Sequence, residues 1–176
     1  MSTRNPGVPV SFDKVAKSFG NVKVLEEFDI DIKSGEFLVL LGASGSGKTT
    51  ALRILSGLET ASSGRVRIGD RDVTDAATTE RNIAQVFQFP VVYDTTSVRD
   101  NLSFPLRNRG MDPAYIAGRV NQIAKMIGME DILNRKARGL TADAKQKISL
   151  GRGMVREDVN AILFDEPLTV IDPHMK

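Results

Sequence analysis

The sequence predicts an α/β fold with a parallel-sheet core, a small antiparallel sheet near the N-terminus and a helical insertion. Three observations support this prediction. A continuous apolar run at 37–41 leads into a glycine-rich loop and a helix with an apolar stripe. Segments on either side of this unit alternate between apolar and polar residues, as half-exposed strands do. From about 98 to 157 the periodicity becomes helical, and a short apolar strand follows at 162–165.

Size and composition restrict the class of protein. The chain has 176 residues, 41% of them hydrophobic, which suits one globular domain with room for an inserted subdomain. The net charge is +2 with scattered basic residues, so no nucleic-acid surface is indicated. The absence of cysteine excludes disulfides and thiolate metal sites. Because no apolar run could span a bilayer and no secretory signal begins the chain, a membrane role would require a partner.

The first elements are predicted to be antiparallel strands. Residues 10–15, 28–32 and 65–68 each alternate between apolar and polar side chains. Turn signals at Ser34–Gly35 and Gly69–Asp70 separate them from their neighbours. We therefore expect a small antiparallel sheet with one face buried.

The central motif is a phosphate-binding loop at 42–49, which satisfies the pattern G-x-x-x-x-G-K-[ST]. Glycines let backbone N–H groups close on phosphates, Lys48 would neutralise the β- and γ-phosphates, and the Thr49 hydroxyl would bind Mg²⁺. We predict ATP and Mg²⁺ as cofactors. The predicted nucleotide-binding residues of this motif are Gly42, Ala43, Ser44, Gly45, Ser46, Gly47, Lys48, Thr49 and Thr50.

The surroundings of the loop agree with this function. The run at 37–41 predicts a strand buried on both faces, and 50–58 predicts a helix whose stripe contains Leu52, Leu55 and Leu58. A helix N-terminus adds positive partial charge beside the phosphates. The alternative is a glycine-rich turn that binds nothing. It would not account for the strand predicted before the loop and the helix predicted after it.

The second half of the chain adds a strand, a helical region and a further motif. Residues 83–88 predict a buried strand that ends at Gln88. An apolar stripe between Tyr115 and Ile127 predicts a helix capped by Asp112. The apolar strand at 162–165 then ends in Asp165 and Glu166. Asp165 would hold the Mg²⁺ shell, and Glu166 would polarise the water that attacks the γ-phosphate.

In their order, these motifs resemble the ATP-binding subunit of ABC transporters over essentially the whole chain, and the ATPases of carbohydrate importers most of all. The resemblance implies a P-loop NTPase core with an N-terminal antiparallel β subdomain and a helical insertion. It divides the chain into a nucleotide-binding core (1–88), a helical subdomain with the signature motif (89–157) and a return to the core (158–176).

The resemblance also assigns roles to individual residues. Phe19, within Lys17-Ser-Phe-Gly20, would stack on adenine. Gln88 would reach the Mg²⁺ ion and the attacking water, so Glu166, Gln88 and Lys48 form the expected catalytic set, and Thr49, Gln88 and Asp165 the expected metal set. Residues 93–106 resemble the start of the subdomain that docks on the transmembrane partner. The aspartate of Leu168–Asp172 would communicate across a dimer.

One departure from the family concerns its signature Leu-Ser-Gly-Gly-Gln, which falls on Leu140-Thr-Ala-Asp-Ala144. The family uses this segment to contact the γ-phosphate held by the opposite subunit. Asp143 places a carboxylate there, and at about 5 Å with an effective dielectric near 20 the repulsion is roughly 3 kcal/mol. We therefore expect an asymmetric heterodimer in which this chain provides the degenerate signature. If Asp143 points to solvent instead, both sites would work.

A second departure is the position of the last residue, Lys176, ten residues after Glu166. The family has a switch histidine about 30 residues after the glutamate, and His174 lies too early for that role. We therefore expect a fragment that lacks the C-terminal part of the core. We expect it to bind nucleotide weakly at best and to be inactive by itself.

The expected partners are transmembrane permease subunits, a second ATPase subunit in a hetero- or homodimer, and indirectly a solute-binding protein. The expected location is the cytoplasmic face of the membrane, and the expected cargo is a small polar solute such as a carbohydrate or polyol. No nucleic-acid partner is expected. Two alternatives stay open: a catalytically weak regulatory or remnant subunit, and a soluble ABC-type ATPase that acts on nucleic acid. A kinase or GTPase agrees less well with Gln88 and Glu166.

Overall fold

The structure, a computed structural model, describes residues 7–166. They form two compact units, one containing 7–83 and 158–163, the other 84–157 and 164–166. The predicted loop at Leu168–Asp172 and His174 lie outside the described residues. No helix within the described part of the chain has both the length and the hydrophobicity needed to cross a bilayer.

Strands predominate at the start of the described chain and helices in its second half. The elements in order are β1 (Val10–Phe19), β2 (Val22–Ile32), α1 (Lys48–Ser56), β3 (Ser63–Ile68), β4 (Arg71–Asp72), α2 (Thr78–Arg81), β5 (Ile83–Val86), α3 (Val98–Arg107), α4 (Pro113–Met126), a short 3₁₀ turn (Glu130–Ile132), α5 (Ala142–Met154) and β6 (Ala161–Phe164).

Four strands form an antiparallel sheet in the order β2-β1-β3-β4, which confirms the predicted N-terminal sheet. Val10 pairs with Ile32 on one side and with Ile68 on the other. The alternating apolar residues of these strands pack on one side against the buried face of α1. The sheet and the helix that follows the phosphate loop therefore share one hydrophobic core.

Strands β5 and β6 form a second, two-stranded sheet. The backbone N–H of Asn160 donates to the Asn82 carbonyl, and that of Asp165 to the Val86 carbonyl. Because both partners advance along the chain together, the two strands run parallel. Both predicted strands are confirmed, although β5 ends at Val86, two residues earlier than expected.

The helical region from 98 to 157 is confirmed as three helices around one apolar cluster. The predicted stripe of α4 supplies Val120, Ile123 and Ala124 to this cluster. The Asp112 side chain accepts hydrogen bonds from the N–H groups of Ala114 and Tyr115, and Pro113 follows it, as the capping pattern predicts.

The predicted buried strand at 37–41 is wrong in this structure. Residues 36–43 have no regular secondary structure, and Phe37 and Leu41 are 83% and 89% exposed. A five-residue apolar run becomes a central strand only where neighbouring strands accept its backbone hydrogen bonds. Within the described residues no strand pairs with this run, so its sequence pattern alone does not make it a strand.

The predicted stripe of the helix after the loop also needs correction. The helix begins at Lys48 and stops at Ser56, because Gly57 takes a left-handed conformation with φ +78°. Leu58 therefore lies beyond the helix and is 45% exposed. The apolar residues that α1 buries are Ala51, Ile54 and Leu55.

Candidate functional site

The phosphate loop turns through its glycines into the N-terminus of α1. Gly45 and Gly47 have φ values of +80° and +90°, a region that L-residues with side chains rarely adopt. A Cβ on Gly47 would also lie 2.8 Å from the carbonyl oxygen of Val24 on β2. Glycine at 47 is therefore required both by conformation and by close packing against the antiparallel sheet.

Lys48 folds its side chain back over the loop. Its Nζ donates to the carbonyl oxygens of Gly42 and Ala43, both at 2.8 Å, and lies 3.3 Å from Ser46 Oγ. The ammonium is thus held at the concave side of the loop, at the first residue of α1. The first turn of α1 carries no acidic residue that would oppose an anion there.

Thr49 and Thr50 follow Lys48 in the first turn of α1. Thr49 is exposed and Thr50 is half-buried. An exposed hydroxyl one residue after the lysine suits the predicted contact with Mg²⁺, since hard cations prefer oxygen ligands.

A second group of predicted residues meets at the ends of β5 and β6. The Gln88 Nε2 donates to Glu166 Oε2 at 3.1 Å, although the two residues are 78 positions apart. Asp165 precedes this contact, is 7% exposed and donates its N–H to the Val86 carbonyl. Parallel pairing of the strands therefore brings the predicted glutamine and glutamate into direct contact.

Glu166 has a positive φ of +47°, which is uncommon for a residue other than glycine. Non-glycine residues in this region carry strain of about 1–3 kcal/mol and occur often at functional sites. The conformation turns the chain immediately after the buried Asp165, so the two adjacent carboxylates have different surroundings. Asp165 is buried, and Glu166 is exposed.

The predicted site residues belong to different compact units. Phe19 and the loop with Lys48 and Thr49 lie in the first unit, while Gln88, Asp165 and Glu166 lie in the second. Each group is well defined by the contacts within its own unit.

Phe19, the predicted adenine platform, ends β1 and is 48% exposed. The Lys17 ammonium lies over its ring, 4.7 Å from the ring centroid. One face of the ring is thus covered by a cation from the same strand. The exposed part of the ring leaves room for a stacked group.

The segment at the signature position begins α5. The Thr141 side chain caps this helix by accepting a hydrogen bond from the N–H of Ala144. Asp143 Oδ2 forms an ion pair with Lys147 Nζ one turn later, at 3.0 Å. The negative charge that distinguishes this segment therefore has a positive partner on the same helix.

The two aromatic residues near the predicted docking region pack on each other. The rings of Tyr93 and Phe104 are tilted, with centroids 4.8 Å apart. The Arg152 guanidinium lies over Tyr93 at 4.6 Å and over Phe104 at 5.8 Å. These contacts give both rings a packing role within their own unit.

Sequence reasoning missed two buried basic residues of the first unit. Arg81 is 2% exposed and donates to the carbonyls of Ile54 and Leu55 in the last turn of α1. Lys17 is 8% exposed and pairs with Glu59 at 2.7 Å. No sequence pattern marks Arg81. A lysine at an apolar-face position of a strand, two before Phe19, is the one signal that could have identified Lys17.

Comparisons with known proteins agree with the motifs. A sequence profile described as "ABC transporter" matches residues 25–169. The diacetylchitobiose uptake system ATP-binding protein MsiK of Streptomyces coelicolor is 43% identical over 169 residues, which is 95% of this chain and 44% of that protein.

Two further relatives are similar to the same extent. The sulfoquinovosyl glycerol transport ATP-binding protein SmoE of Agrobacterium fabrum is 39% identical, covering 95% of this chain and 46% of its own. The sn-glycerol-3-phosphate import ATP-binding protein UgpC of Cupriavidus necator is 42% identical, with the same coverage of 95% and 46%. The chain thus spans about half the length of the curated relatives that it matches.

Proposed function

The chain belongs to the ABC transporter family, and we propose on that basis that the protein binds and hydrolyses ATP to energise the import of a small polar solute. The names of the relatives refer to diacetylchitobiose, sulfoquinovosyl glycerol and sn-glycerol-3-phosphate, which are all sugar or glycerol derivatives. We therefore propose a carbohydrate or polyol as the class of solute.

The observation that carries the proposal is the position of Lys48 at the junction of loop and helix. Its ammonium makes two 2.8 Å contacts to loop carbonyls, at a helix N-terminus without acidic residues. Helix N-termini and inward N–H groups favour phosphates, and a lysine adds a full positive charge. A triphosphate would displace the carbonyl contacts of the ammonium and replace them with stronger ionic ones.

For hydrolysis we propose that Glu166 polarises the attacking water and that Gln88 orients the same water. The hydrogen bond between their side chains supports this assignment, since both groups already lie within reach of one small molecule. The strained backbone at Glu166 supports it further. Lys48 would neutralise charge that develops on the phosphates.

Mg²⁺ would be held by the Thr49 hydroxyl, the Gln88 amide oxygen and the Asp165 carboxylate. This donor set fits the ion, because Mg²⁺ prefers oxygen ligands and is usually bound through one or two carboxylates together with substrate phosphates. When bound, the ion would offset negative charge on the β- and γ-phosphates. Phe19 would receive the adenine on the open part of its ring.

We propose that residues 1–88 and 158–176 form the nucleotide-binding core, that 89–157 form the helical subdomain, and that the protein works in a dimer of ATPases. Asp143 would make this chain the half of a heterodimer that supplies the degenerate signature, while its own Lys48 and Glu166 would serve the site that hydrolyses ATP. The ion pair of Asp143 with Lys147 reduces the expected repulsion of the partner's nucleotide. Permease subunits, and indirectly a solute-binding protein, would complete the assembly at the cytoplasmic face of the membrane.

The decisive experiment is calorimetric titration of the intact protein with Mg-ATP, beside Lys48→Ala and the control Lys33→Ala, a change at an exposed lysine after β2. We expect Lys48→Ala to weaken binding by at least about tenfold, because a charge-assisted contact contributes roughly 1.5–3 kcal/mol. Lys33→Ala should bind as the parent does. Equal heats for the parent and Lys48→Ala would refute ATP binding at this loop.

Hydrolysis is tested separately with Glu166→Gln in the assembled transporter. We expect ATP turnover to fall by a factor of about 10² or more while ATP binding is retained, because general-base catalysis typically supplies this factor. Competition between ATP and GTP, and salt-sensitive binding to duplex DNA or RNA, would identify the alternative classes.

A further inference from the structure

The side chain of Lys17 is buried in a place where the proposed chemistry does not use it. It is 8% exposed, although lysine is almost never fully buried unless it is paired. Its Nζ donates to Glu59 Oε1 at 2.7 Å and to the Thr60 carbonyl at 2.8 Å. The Phe19 ring lies at 4.7 Å from the same nitrogen. Two of the three N–H donors of the lysine therefore have oxygen acceptors, and the aromatic ring lies beside the same nitrogen.

The lysine and the ring are neighbours on one strand. Lys17 and Phe19 are two residues apart on β1, whose pairing with β2 is irregular between Lys17 and Ser18, and the Lys17 Nζ lies 4.7 Å from the ring centroid. The ammonium therefore lies over one face of the aromatic ring, and Phe19 as a whole is 48% exposed. A cation over an aromatic face is attracted by the ring quadrupole, which holds the ring in one orientation.

The partners of Lys17 belong to the segment that ends the phosphate-loop helix. The N–H groups of Leu58 and Glu59 both donate to the Arg53 carbonyl in α1. Lys17 thus connects the aromatic ring to the C-terminal end of α1, whose first residue is Lys48 in the loop. The hydrogen bond from the lysine also lowers the pKa of Glu59.

The hairpin that carries Phe19 also contacts the N-terminal end of α1, where the phosphate loop ends. Phe19 pairs with Val22 across the β1–β2 turn. Two residues further along β2, the Val24 carbonyl packs so closely on Gly47 that a Cβ there would lie 2.8 Å away. The ring is therefore connected to the phosphate loop through β2 and, through Lys17, to the helix that follows this loop.

We propose that Lys17 is a positioning residue for Phe19, which holds the ring with one face covered and the other open, so that adenine and phosphates bind to a preset spacing. This inference rests on the proposed function of Phe19 as adenine platform. A buried ion pair is weak evidence for stability, because desolvation offsets much of its Coulomb attraction, so the pair with Glu59 alone gives a weak reason to bury a lysine. Preorganisation of the ring gives a stronger one, because ordering a side chain on binding reduces affinity.

The test compares two ligands, Mg-ATP and inorganic tripolyphosphate with Mg²⁺, in titrations of the intact protein. The affinity for tripolyphosphate measures phosphate binding at the loop alone. The ratio of the ATP affinity to the tripolyphosphate affinity measures the contribution of the nucleoside, including the contact of adenine with Phe19. Phe19→Ala should weaken ATP about tenfold and leave tripolyphosphate unchanged. Lys17→Met should weaken ATP roughly two- to tenfold, again without effect on tripolyphosphate. Lys17→Arg, which keeps a cation beside the ring, should recover most of the loss.

The controls separate a failure of this inference from a failure of the proposed function. Lys33→Met removes the same charge at an exposed lysine and should change neither affinity. If Phe19→Ala leaves ATP binding intact, the platform role itself is wrong. Two results would overturn only the positioning role, provided that Phe19→Ala weakens ATP binding. Either Lys17→Met leaves ATP binding unchanged, or Lys17→Met weakens the binding of ATP and tripolyphosphate equally. Should Lys17→Met fold poorly, Glu59→Gln tests the same connection and should lower the ATP-to-tripolyphosphate ratio by a smaller factor.

Discussion

Two glycines of the phosphate loop have the same backbone conformation and different surroundings. Gly45 and Gly47 both have φ near +80° to +90°. A Cβ on Gly45 would meet nothing within 4 Å, whereas one on Gly47 would meet Val24 and Leu25 within 3 Å. Gly45 is therefore required only by its backbone conformation, whereas Gly47 is required by its conformation and by close packing.

We predict that Gly47→Ala destabilises the protein more than Gly45→Ala does. Both changes incur roughly 1–2 kcal/mol for a left-handed residue, and Gly47→Ala adds a clash with a backbone carbonyl that cannot rotate away. Gly47→Ala should also weaken ATP binding more, because the displaced residue is the N-cap of α1. Urea unfolding and ATP titration of both variants measure this. Equal losses for the two would show that the β2 contact is unimportant.

Among the elements, α5 depends on close approach to its neighbours. It contains Gly151 and Gly153, and interior glycines each lower helix stability by about 1 kcal/mol relative to alanine. The structure explains why they are there. A Cβ on Gly151 would lie 2.6 Å from Leu102 on α3 and 3.0 Å from Ile127 after α4, and one on Gly153 would lie 2.5 Å from Val86. Both glycines are buried, so close packing at these positions outweighs the low helix propensity of glycine.

We predict opposite effects of the same substitution in two helices. Gly151→Ala should lower the free energy of unfolding by about 1 kcal/mol, because overpacking of about 1–3 kcal/mol outweighs the gain in helix propensity. Gly118→Ala in α4, where a Cβ would meet nothing within 4 Å and the residue is exposed, should raise it by up to about 1 kcal/mol. Denaturant unfolding gives both values. A stabilising Gly151→Ala would contradict the packing argument.

At the scale of the whole molecule, the proposed heterodimer depends on how the Asp143 carboxylate interacts with a nucleotide held by the partner ATPase. Asp143 sits at the start of α5, where its negative charge agrees with the helix dipole and is paired with Lys147. The roughly 3 kcal/mol repulsion expected for a bare carboxylate is therefore an upper bound. In the proposed heterodimer, Lys147 would offset part of the repulsion between Asp143 and the partner's nucleotide.

We predict that Lys147→Met lowers ATP turnover of the assembled transporter more than Lys125→Met, which changes an exposed lysine on α4. Removing Lys147 leaves the Asp143 carboxylate uncompensated, and turnover should fall several-fold at saturating ATP. Asp143→Gly should raise turnover, because it removes the repulsion altogether. Steady-state turnover and bound-nucleotide stoichiometry per dimer test both changes. A homodimer with full turnover at both sites, unaffected by either substitution, would exclude the asymmetric arrangement.

Local patterns in the sequence were sufficient for much of the fold and the site. Alternation predicted the first part of β1 (10–15) and the last part of β2 (28–32), and the stripe and cap predicted α4, because each follows from which side of one element faces a core. The order of motifs indicated the family to which the chain belongs, and it is the basis for proposing Lys48 and Glu166 as site residues. These features depend on residues that are near one another in the chain.

What the tertiary structure decided depends on residues far apart in sequence. The run at 37–41 reads as a buried strand, yet it is exposed because a strand requires backbone partners and no described strand supplies them. The hydrogen bond of Gln88 to Glu166 and the burial of Lys17 against Glu59 arise in the same way. Periodicity reveals which face of an element is apolar, but only the folded chain determines which residue from elsewhere lies against it.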